Sequence, residues 1–167
     1  MFIVFQNIFI LQISSIIMPL IPYTKKRNLK KSGEPKAEIP KNKSKKLIYT
    51  IQEHHASHLH WDLRLEMNRT LKSWAIPKSP PTKKGIKRLA IQVEDHPLNY
   101  AKFQGEIKEG YGKGTVKIYD AGTYELISKD EKKIEIKVLG KKLKGNFVLI
   151  KTNYGSKPEK SWLFMKL

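Results

Sequence analysis

Residues 59–66 of the chain read Leu-His-Trp-Asp-Leu-Arg-Leu-Glu. Apolar and polar residues alternate strictly here, a pattern typical of a β-strand with one apolar and one polar face. The four apolar residues from Leu59 to Leu65 should face a core. The other face carries His60, Asp62 and Arg64 in a row, whereas a solvated face usually carries Lys, Thr or Glu. We therefore expect a metal and phosphate site on this side of the strand.

Similar short runs recur from Leu47 onward and predict an all-β fold. We expect strands at residues 47–52, 59–66, 71–76, 89–94, 115–119, 123–127, 134–138, 147–151 and 162–165. Met67-Asn68-Arg69-Thr70 reads as a turn, and Asp120-Ala121-Gly122 reads as a hairpin signal. The sequence shows no convincing amphipathic helix and no internal repeat. The strand pattern favours an all-β barrel or sandwich.

Composition limits the classes of function. In 167 residues, 33 Lys or Arg stand against 15 Asp or Glu, a formal charge of +18. This excess favours a polyanionic partner, nucleic acid first and an anionic membrane surface second, although it also suits a merely solubilising lysine surface. The sequence has no cysteine, which excludes disulfides, thiolate metal sites and cysteine nucleophiles. Any metal must therefore bind to histidine and carboxylate side chains.

The composition changes along the chain and divides it into three parts. Residues 1–17 form an apolar extension that has three interpretations. It is a mis-assigned start before Met18, an anchor at a membrane, or a part of the domain. No basic residue precedes this run and no cleavage pattern follows it, so it is a poor signal peptide. Residues 18–46 form an irregular basic arm that contributes to the site. Residues 47–167 form the barrel, and we expect a cytoplasmic protein with no stable membrane partner.

A cluster of histidines precedes and begins the quoted strand: four lie within seven positions, from His54 to His60. His60 and Asp62 lie on one strand face, about 7 Å apart, and can converge on one ion. His54 would be about 20 Å away in a straight strand, so it joins them only if residues 55–57 bend the chain back. Two histidines and one aspartate suit a divalent cation such as Mn²⁺ or Zn²⁺. The alternatives are histidines on an exposed face, or a metal-free pair of imidazoles as acid and base.

Two further groups extend the predicted site. Arg64 continues the face and can clamp a phosphate bidentately, or it forms a salt bridge on the strand face with Glu66 or a neighbour. Pro97 should end the fourth predicted strand, which leaves His96 at a strand-to-loop corner. A histidine there can protonate a leaving oxygen or hold a phosphate, and Tyr100 offers a hydroxyl nearby.

Loop residues offer a second way to bind a polyanion. A basic loop between strands suits a nucleic-acid backbone, and it contains Lys78, Lys83, Lys84, Lys87 and Arg88. The glycines between residues 105 and 114 favour tight turns over a phosphate-binding loop, because no helix follows them. Trp74 and Tyr111 can stack a base, although the apolar segment around Trp74 places it in the core.

These motifs, in this order, resemble one family. Residues 52–66 read Gln-Glu-His-His-Ala-Ser-His-Leu-His-Trp-Asp-Leu-Arg-Leu-Glu, and residues 71–78 read Leu-Lys-Ser-Trp-Ala-Ile-Pro-Lys. Val-Glu-Asp-His-Pro-Leu-Asn-Tyr at 93–100, Gly-Glu-Ile at 105–107 and Gly-Tyr-Gly-Lys-Gly-Thr-Val at 110–116 follow. With the basic segment 23–35, the series resembles the 3′-phosphoesterase domain of bacterial DNA ligase D and its stand-alone relatives.

The resemblance implies a compact, closed or partly open antiparallel β-barrel, which we expect to have about eight strands. It also implies an enzyme that heals DNA 3′ ends with manganese. Such enzymes remove a 3′-terminal ribonucleoside, leave a 3′-phosphate, and then hydrolyse that phosphate to a 3′-hydroxyl. By position, His54, His60 and Asp62 would bind Mn²⁺, with Zn²⁺ or Co²⁺ as other candidates. Catalytic positions would be Arg64, His96, Tyr100, Lys78, Arg88 and Glu34. Substrate-binding positions would be Gln52, Glu94, Lys83, Lys84 and Lys87.

One position departs from the family pattern. Asn28 follows Lys26 and Arg27 where the family tends to have Asp. An amide cannot supply the negative charge of a carboxylate, so an activity that depends on that charge would be weakened.

The sequence shows no ligase or polymerase module and no lysine nucleophile motif for adenylylation. We therefore expect a stand-alone end-healing enzyme, with DNA 3′ ends as substrate and with ligase, polymerase or Ku-type end-joining proteins acting in trans. The alternative, from a different class, is a β-barrel that binds nucleic acid through the arm and the basic loop without catalysis.

Overall fold

The structure is a computed structural model that describes residues 18–42 and 45–167. The three interpretations of residues 1–17 lie outside the described residues. Within the described residues, nine strands follow a short N-terminal helix. The helix α1 is Ile21–Lys25, preceded by a 3-10 turn at Met18–Leu20. The strands are β1 Leu47–His55, β2 Leu59–Met67, β3 Thr70–Ile76, β4 Lys87–Pro97, β5 Gly105–Ile107, β6 Gly114–Lys129, β7 Lys133–Leu139, β8 Lys144–Lys151 and β9 Ser161–Lys166. Further 3-10 turns are Leu98–Lys102 and Pro158–Lys160.

Eight of these strands close into an antiparallel barrel. They neighbour one another in the order β1-β2-β3-β4-β9-β8-β7-β6, and β6 pairs with β1 to close the ring. The short strand β5 adds to the start of β6 outside this ring. The prediction of an antiparallel β-barrel of about eight strands is confirmed.

The apolar face of β2 packs inside the barrel, as its alternation predicts. Leu63 and Leu65 are buried there with Trp74 of β3, and Trp61 is partly buried against them. Leu59 is the exception, because it begins β2 beside the turn at the rim and is 44% exposed. The expectation that Leu59 faces the core is therefore wrong, whereas the core position of Trp74 is confirmed.

The hairpin predicted at Asp120-Ala121-Gly122 is wrong, since β6 runs without a break from Gly114 to Lys129. The Asp120 carboxylate accepts hydrogen bonds from the Tyr49 hydroxyl (2.7 Å) and from the Leu143 N–H (2.8 Å). Asp120 thus holds the turn between β7 and β8 instead of starting one of its own. Position 122 requires a glycine because of close packing and not because of a turn: a Cβ there would lie 2.4 Å from the Leu139 carbonyl oxygen.

A β-bulge in β4 places His96 on the outer face of the barrel. Leu71 lies opposite His96, whereas Ser73 lies opposite Val93, so β4 has one extra residue between them. An extra residue reverses the alternation of faces beyond it. His96 therefore shares the outer face with Val93, and Asp95 turns the other way to pair with Lys72 (2.8 Å).

The outer face of β1–β4 is covered by a second layer. The N-terminal arm and the turn after β4 supply a small apolar cluster that includes Tyr23, Leu71, Tyr100 and Ala101. This layer buries polar residues of β1 and β2 that the alternation alone would place in solvent. Among the described residues, no helix is long and apolar enough to cross a membrane.

Candidate metal and phosphate site

The β1–β2 hairpin brings the three predicted metal ligands together. His54 of β1 lies directly opposite His60 of β2, because the turn at residues 56–58 reverses the chain. The bend required for His54 to join the cluster is therefore present. One nitrogen of each histidine and a carboxylate oxygen of Asp62 all lie within 4.8 Å of one another.

Hydrogen bonds to backbone carbonyls fix which nitrogen of each histidine faces the cluster. His54 bonds through Nε2 to the Gly112 carbonyl (2.8 Å), and His60 bonds through Nδ1 to the His58 carbonyl (2.9 Å). A carbonyl oxygen only accepts, so these nitrogens carry the protons of the neutral imidazoles. The opposite nitrogens, His54 Nδ1 and His60 Nε2, lie 3.6 and 3.8 Å from the two oxygens of Asp62. Outer hydrogen bonds of this kind orient histidines that ligate metals.

Asp62 completes a donor set that fits a divalent metal. Burial opposes its charge, but the Arg64 guanidinium and the two imidazoles hold the pKa of this carboxyl below its usual range. Two neutral imidazole nitrogens and one carboxylate suit Mn²⁺, Zn²⁺ or Co²⁺, and they leave coordination positions for other oxygen ligands. The donor set thus fits the metal that the family resemblance implies.

Arg64 is held rigidly beside these ligands. Its guanidinium donates to Gln52 Oε1 (2.7 Å), Ser73 Oγ (2.9 Å) and Asp62 Oδ2 (3.1 Å), and it lies over the Tyr100 ring. These bonds use three of its five N–H donors. The ion pair on the strand face is with the neighbour Asp62 (3.1 Å) and not with Glu66. Arg64 is therefore held in one orientation, and its two remaining N–H donors are available to an anion.

A second guanidinium, from the arm, reaches the same cavity. Arg27 donates to Glu34 Oε1 (2.8 Å) and to Glu94 Oε1 (2.7 Å), and its third nitrogen lies 3.1 Å from His96 Nε2. Arg27 was not predicted as a site residue from the sequence, where it counted only as one of the basic residues of the arm. One feature of the sequence could have indicated its position: Arg27 lies four residues after Tyr23. In the structure it packs over the Tyr23 ring and donates a hydrogen bond to the Tyr23 carbonyl.

His96 is neutral in this arrangement. Its burial and the neighbouring charges of Arg64 and Arg27 hold the pKa of the imidazole well below 6.5. Arg27 only donates, so His96 Nε2 accepts its hydrogen bond, while Nδ1 lies 2.9 Å from the Glu94 carbonyl and carries the proton. His96 thus presents an accepting nitrogen to the arm. The role of proton donor predicted from the sequence requires it to gain a proton first.

The cavity between these groups is about 200 Å³ in volume. Its charged walls are the guanidiniums of Arg27 and Arg64 and the carboxylates of Glu34, Asp62 and Glu94. Two positive charges against three negative ones leave the walls at −1, and a divalent cation would bring them to +1. A metal would therefore make this cavity attractive to phosphate. Glu34 Oε2 is buried and has no hydrogen-bond partner among the described residues, so it is an acceptor available to a bound molecule.

Two other predicted residues support the cavity. Gln52 is fully buried and does not line it; its amide donates to the Tyr100 and Phe103 carbonyls and accepts from Arg64. Tyr100 lines the cavity, and its hydroxyl donates to Glu34 Oε1 (3.0 Å). Burial raises the pKa of Tyr100, so this hydroxyl keeps its proton.

The basic loop does not reach this cavity. Lys78, Lys87 and Arg88 line a separate shallow pocket that has no lining residue in common with the site, and Arg88 donates to the Ser79 carbonyl (2.7 Å). Lys83 and Lys84 are exposed on the same loop. The catalytic roles expected of Lys78 and Arg88, and the substrate-binding roles of the three other lysines, stay predictions. Asn28 is also exposed, and its carbonyl closes a turn of the arm.

The fold and the site together define a β-barrel protein with two histidines and one carboxylate arranged for a metal beside two buried guanidiniums. The family model of the DNA ligase D 3′-phosphoesterase domain matches residues 52–151, and the chain belongs to this family. That match confirms the resemblance drawn from the sequence motifs.

Several curated relatives share this region. The chain is 43% identical over 155 residues to the multifunctional non-homologous end joining protein LigD of Pseudomonas aeruginosa, covering 89% of this chain and 18% of the relative. It is 41% identical over 159 residues to the protein of the same name from Mycolicibacterium smegmatis, covering 86% and 20%. For the LigD repair protein of Mycobacterium tuberculosis the identity is 38% over 139 residues, covering 80% and 18%. The chain thus spans about a fifth of the length of these relatives.

Proposed function

We propose that this chain is a metal-dependent phosphoesterase that heals DNA 3′ ends. The proposal rests on one observation. A hydrogen bond to a backbone carbonyl orients each of the two histidines, so that the other ring nitrogen of each lies close to the Asp62 carboxylate, which pairs with Arg64. A nucleic-acid binder without catalysis would not need two imidazoles oriented in this way. The family description, a 3′-phosphoesterase domain, supports the same activity.

The reaction has two hydrolytic steps in this proposal. In the first, water adds to phosphorus and the bond to the 5′-oxygen of the terminal ribonucleoside breaks, which leaves a 3′-phosphate. In the second, water adds to that phosphate and the bond to the 3′-oxygen breaks, which releases inorganic phosphate and a 3′-hydroxyl. In the transition state of both steps, negative charge is spread over the phosphoryl oxygens and develops on the leaving oxygen.

The side chains of the cavity have distinct roles in these steps. The spare donors of Arg64 bind the phosphate oxygens and offset their developing charge. His54, His60 and Asp62 would hold a divalent ion, Mn²⁺ in this proposal, which supplies Lewis-acid stabilisation when bound. His96 Nε2 takes a hydrogen bond or a proton on the opposite wall. Glu34 Oε2, which is buried and unpaired among the described residues, accepts a hydrogen bond from water or from a sugar hydroxyl.

The cellular setting follows from the relatives. Their names place them in non-homologous end joining, so we propose that this chain acts on broken or primed DNA ends in the cytoplasm. Ligase, polymerase or Ku-type proteins would then act on the same ends in trans.

The test is an assay with primer-template DNA that ends in a ribonucleotide and carries a label near the 3′ end. We expect conversion to a 3′-phosphate and then to a 3′-hydroxyl with Mn²⁺, and no conversion with EDTA. Cleavage that resists the chelator would overturn the metal role. A protein that binds the DNA but never trims its end, at any metal concentration, would instead be the non-catalytic binder.

A matched pair of variants separates catalysis from binding. His60→Ala removes a proposed ligand, whereas His55→Ala removes an exposed neighbour that contacts Glu53 (2.6 Å) and does not line the cavity. We expect His60→Ala to abolish turnover and keep DNA affinity, and His55→Ala to resemble the wild type in both. Equal activity of the two variants would contradict the assignment of His60.

A further inference from the structure

A groove next to the cavity is larger than the cavity itself. The cavity, at about 200 Å³, is smaller than the roughly 300–1,000 Å³ of typical small-molecule sites, so it holds the reacting phosphate but not a whole nucleotide. The groove has a volume of about 530 Å³ and shares three lining residues with the cavity: Val93, Glu94 and Tyr111. The remainder of the substrate therefore has a continuous path from the cavity into this groove.

The groove walls suit a nucleic-acid backbone. Lys26, Lys157 and Lys160 line it, against the single carboxylate of Glu94. Both oxygens of Glu94 are already paired, one with Lys26 (2.8 Å) and one with Arg27 (2.7 Å). Lys157 and Lys160 carry no such ion pair in the described residues, so their charge is available to phosphate groups.

The two outer lysines are held in a fixed turn. The Ser161 hydroxyl donates to the Lys157 carbonyl (2.7 Å), and the Lys160 N–H donates to the same carbonyl (3.0 Å). Ser161 is fully buried at the start of β9, opposite Ile91 of β4. The backbone that carries these lysines is thus anchored to the strand that forms the groove floor.

Tyr111 stands where the cavity and the groove meet. Its side chain is large and 52% exposed, which is unusual for an aromatic residue at a polar site. The His54 bond to the Gly112 carbonyl anchors the segment that presents it, and Lys26 and Arg27 lie 4.8 and 5.5 Å from the ring centroid. An exposed ring beside cations is the usual platform for a base in single-stranded nucleic acid.

We propose that this groove, lined by Tyr111, Lys157 and Lys160, binds the nucleotides on the 5′ side of the reacting phosphate, in a single strand or at an end that has separated from its template. A base stacks on Tyr111, and the two lysines contact the backbone phosphates that follow it. The inference rests on the proposed function in taking a nucleic-acid end as the substrate. It predicts that the strand leaves the cavity over the arm and the turn before β9.

Binding of a strand that cannot react tests the groove apart from catalysis. The probe is a short, fluorescently labelled, single-stranded oligodeoxynucleotide that ends in a 3′-hydroxyl, titrated at several salt concentrations. We expect Lys157→Gln/Lys160→Gln to weaken binding about tenfold and to reduce the salt slope by about 1.4, because each phosphate contact in a single strand contributes about 0.7. Tyr111→Leu should weaken binding about tenfold, and Tyr111→Phe should keep it, since stacking needs only the ring.

The matched control is Lys141→Gln/Lys144→Gln. It removes the same charge from exposed lysines at the turn between β7 and β8, at the other end of β8 from the turn that carries Lys157 and Lys160. We expect binding close to that of the wild type. An equal loss of binding affinity in the control variant would show that the protein attracts the strand through its overall charge, and it would contradict the proposed groove.

Measurements of turnover distinguish an error in the proposed groove from an error in the proposed function. With a 3′-phosphorylated oligonucleotide, Lys157→Gln/Lys160→Gln should raise KM and keep kcat, whereas with a 3′-phosphorylated mononucleoside, which has no further backbone phosphate, this variant should match the wild type. Wild-type turnover with unchanged binding and KM in the variants would overturn the groove and leave the function standing. Binding that depends on the groove without turnover by the wild type would support the groove and overturn the function. An equal rise in KM on the mononucleoside would place the effect in the cavity and overturn the groove.

Discussion

The inner and outer faces of strands β1–β4 are equally buried but chemically opposite. On the inner face, Ile51 and Leu63 are 0% and 1% exposed; on the outer face, Gln52 and Arg64 are 0% and 3% exposed. The inner face is stabilised by the transfer of apolar surface from water. The outer face gains little from burial itself, because every charge there must be matched by a partner.

This difference separates the part of the molecule that holds the fold from the part that carries the chemistry. The outer network is preorganised, since Arg64 is bonded to three side chains at once. Groups fixed in this way need no reorganisation when charge develops on a substrate. The neighbours Leu63 and Arg64 point to opposite faces, so substitutions at these two positions test the comparison directly.

The largest effect is expected for Arg64→Gln. This change removes the charge that is paired with Asp62 inside the covered face, so we expect a loss of about 3–5 kcal/mol in the free energy of unfolding. We also expect the rate of 3′-phosphate hydrolysis to fall about 10²–10³-fold. Denaturant unfolding and single-turnover kinetics measure the two effects, and a variant with full activity would show that Arg64 is only structural.

Leu63→Ala should act on stability alone. It leaves a cavity in the barrel core next to Trp74, and such changes cost about 2–5 kcal/mol in the free energy of unfolding. Under conditions where the variant is still folded, its kcat should match that of the wild type, because the outer network keeps its partners. A large loss of kcat in the folded variant would show that the two faces are coupled.

The pH dependence of stability should report His96. In the unfolded chain this imidazole gains a proton near pH 6.5, whereas in the folded protein burial and two guanidiniums hold its pKa well below that value. Unfolding therefore takes up a proton below pH 6.5, and stability falls as the pH falls, by at most about 1.4 kcal/mol per pH unit. Unfolding of the metal-free protein between pH 5 and 7 should show this slope. His96→Asn should reduce it, and an unchanged slope would mean that His96 titrates normally in the folded state.

The smallest effect is expected for Asn28→Asp. Asn28 is exposed and contributes its backbone carbonyl to a turn, so the free energy of unfolding should change by less than about 0.5 kcal/mol. The activity should stay close to that of the wild type if the side chain remains outside the cavity. A large gain in phosphatase rate would instead show that the arm turns this residue towards the substrate.

The alternation of residues predicted the inner face well and the outer face in part. Period-two patterns predicted the core position of Leu63 and the outward direction of His60, Asp62 and Arg64, and they limited the fold to a barrel or a sandwich. The apolar segment around Trp74 predicted its core position. The sequence also required a bend before His60, and the β1–β2 turn supplies it. These features depend on neighbours in sequence, which a pattern can reveal.

The remaining features depend on contacts between distant segments. The bulge that turns His96 outward arises from the pairing of β4 with β3, and the uninterrupted course of β6 through Asp120 depends on the turn between β7 and β8. Arg27 reaches Glu94 from 67 positions away. Such contacts form only in the folded chain, so the role of Arg27 was not predicted and a hairpin was predicted at residues 120–122, where β6 is continuous.

The most direct test of the account is a titration of the metal-free protein with Mn²⁺, followed by calorimetry or by the electron paramagnetic resonance signal of the free ion. We predict one ion per chain for the wild type and for His55→Ala, with binding lost or weakened at least about tenfold in His60→Ala. Equal binding by the wild type and His60→Ala, or the absence of any stoichiometric ion, would contradict the claim that the outer face of the barrel is a metal site.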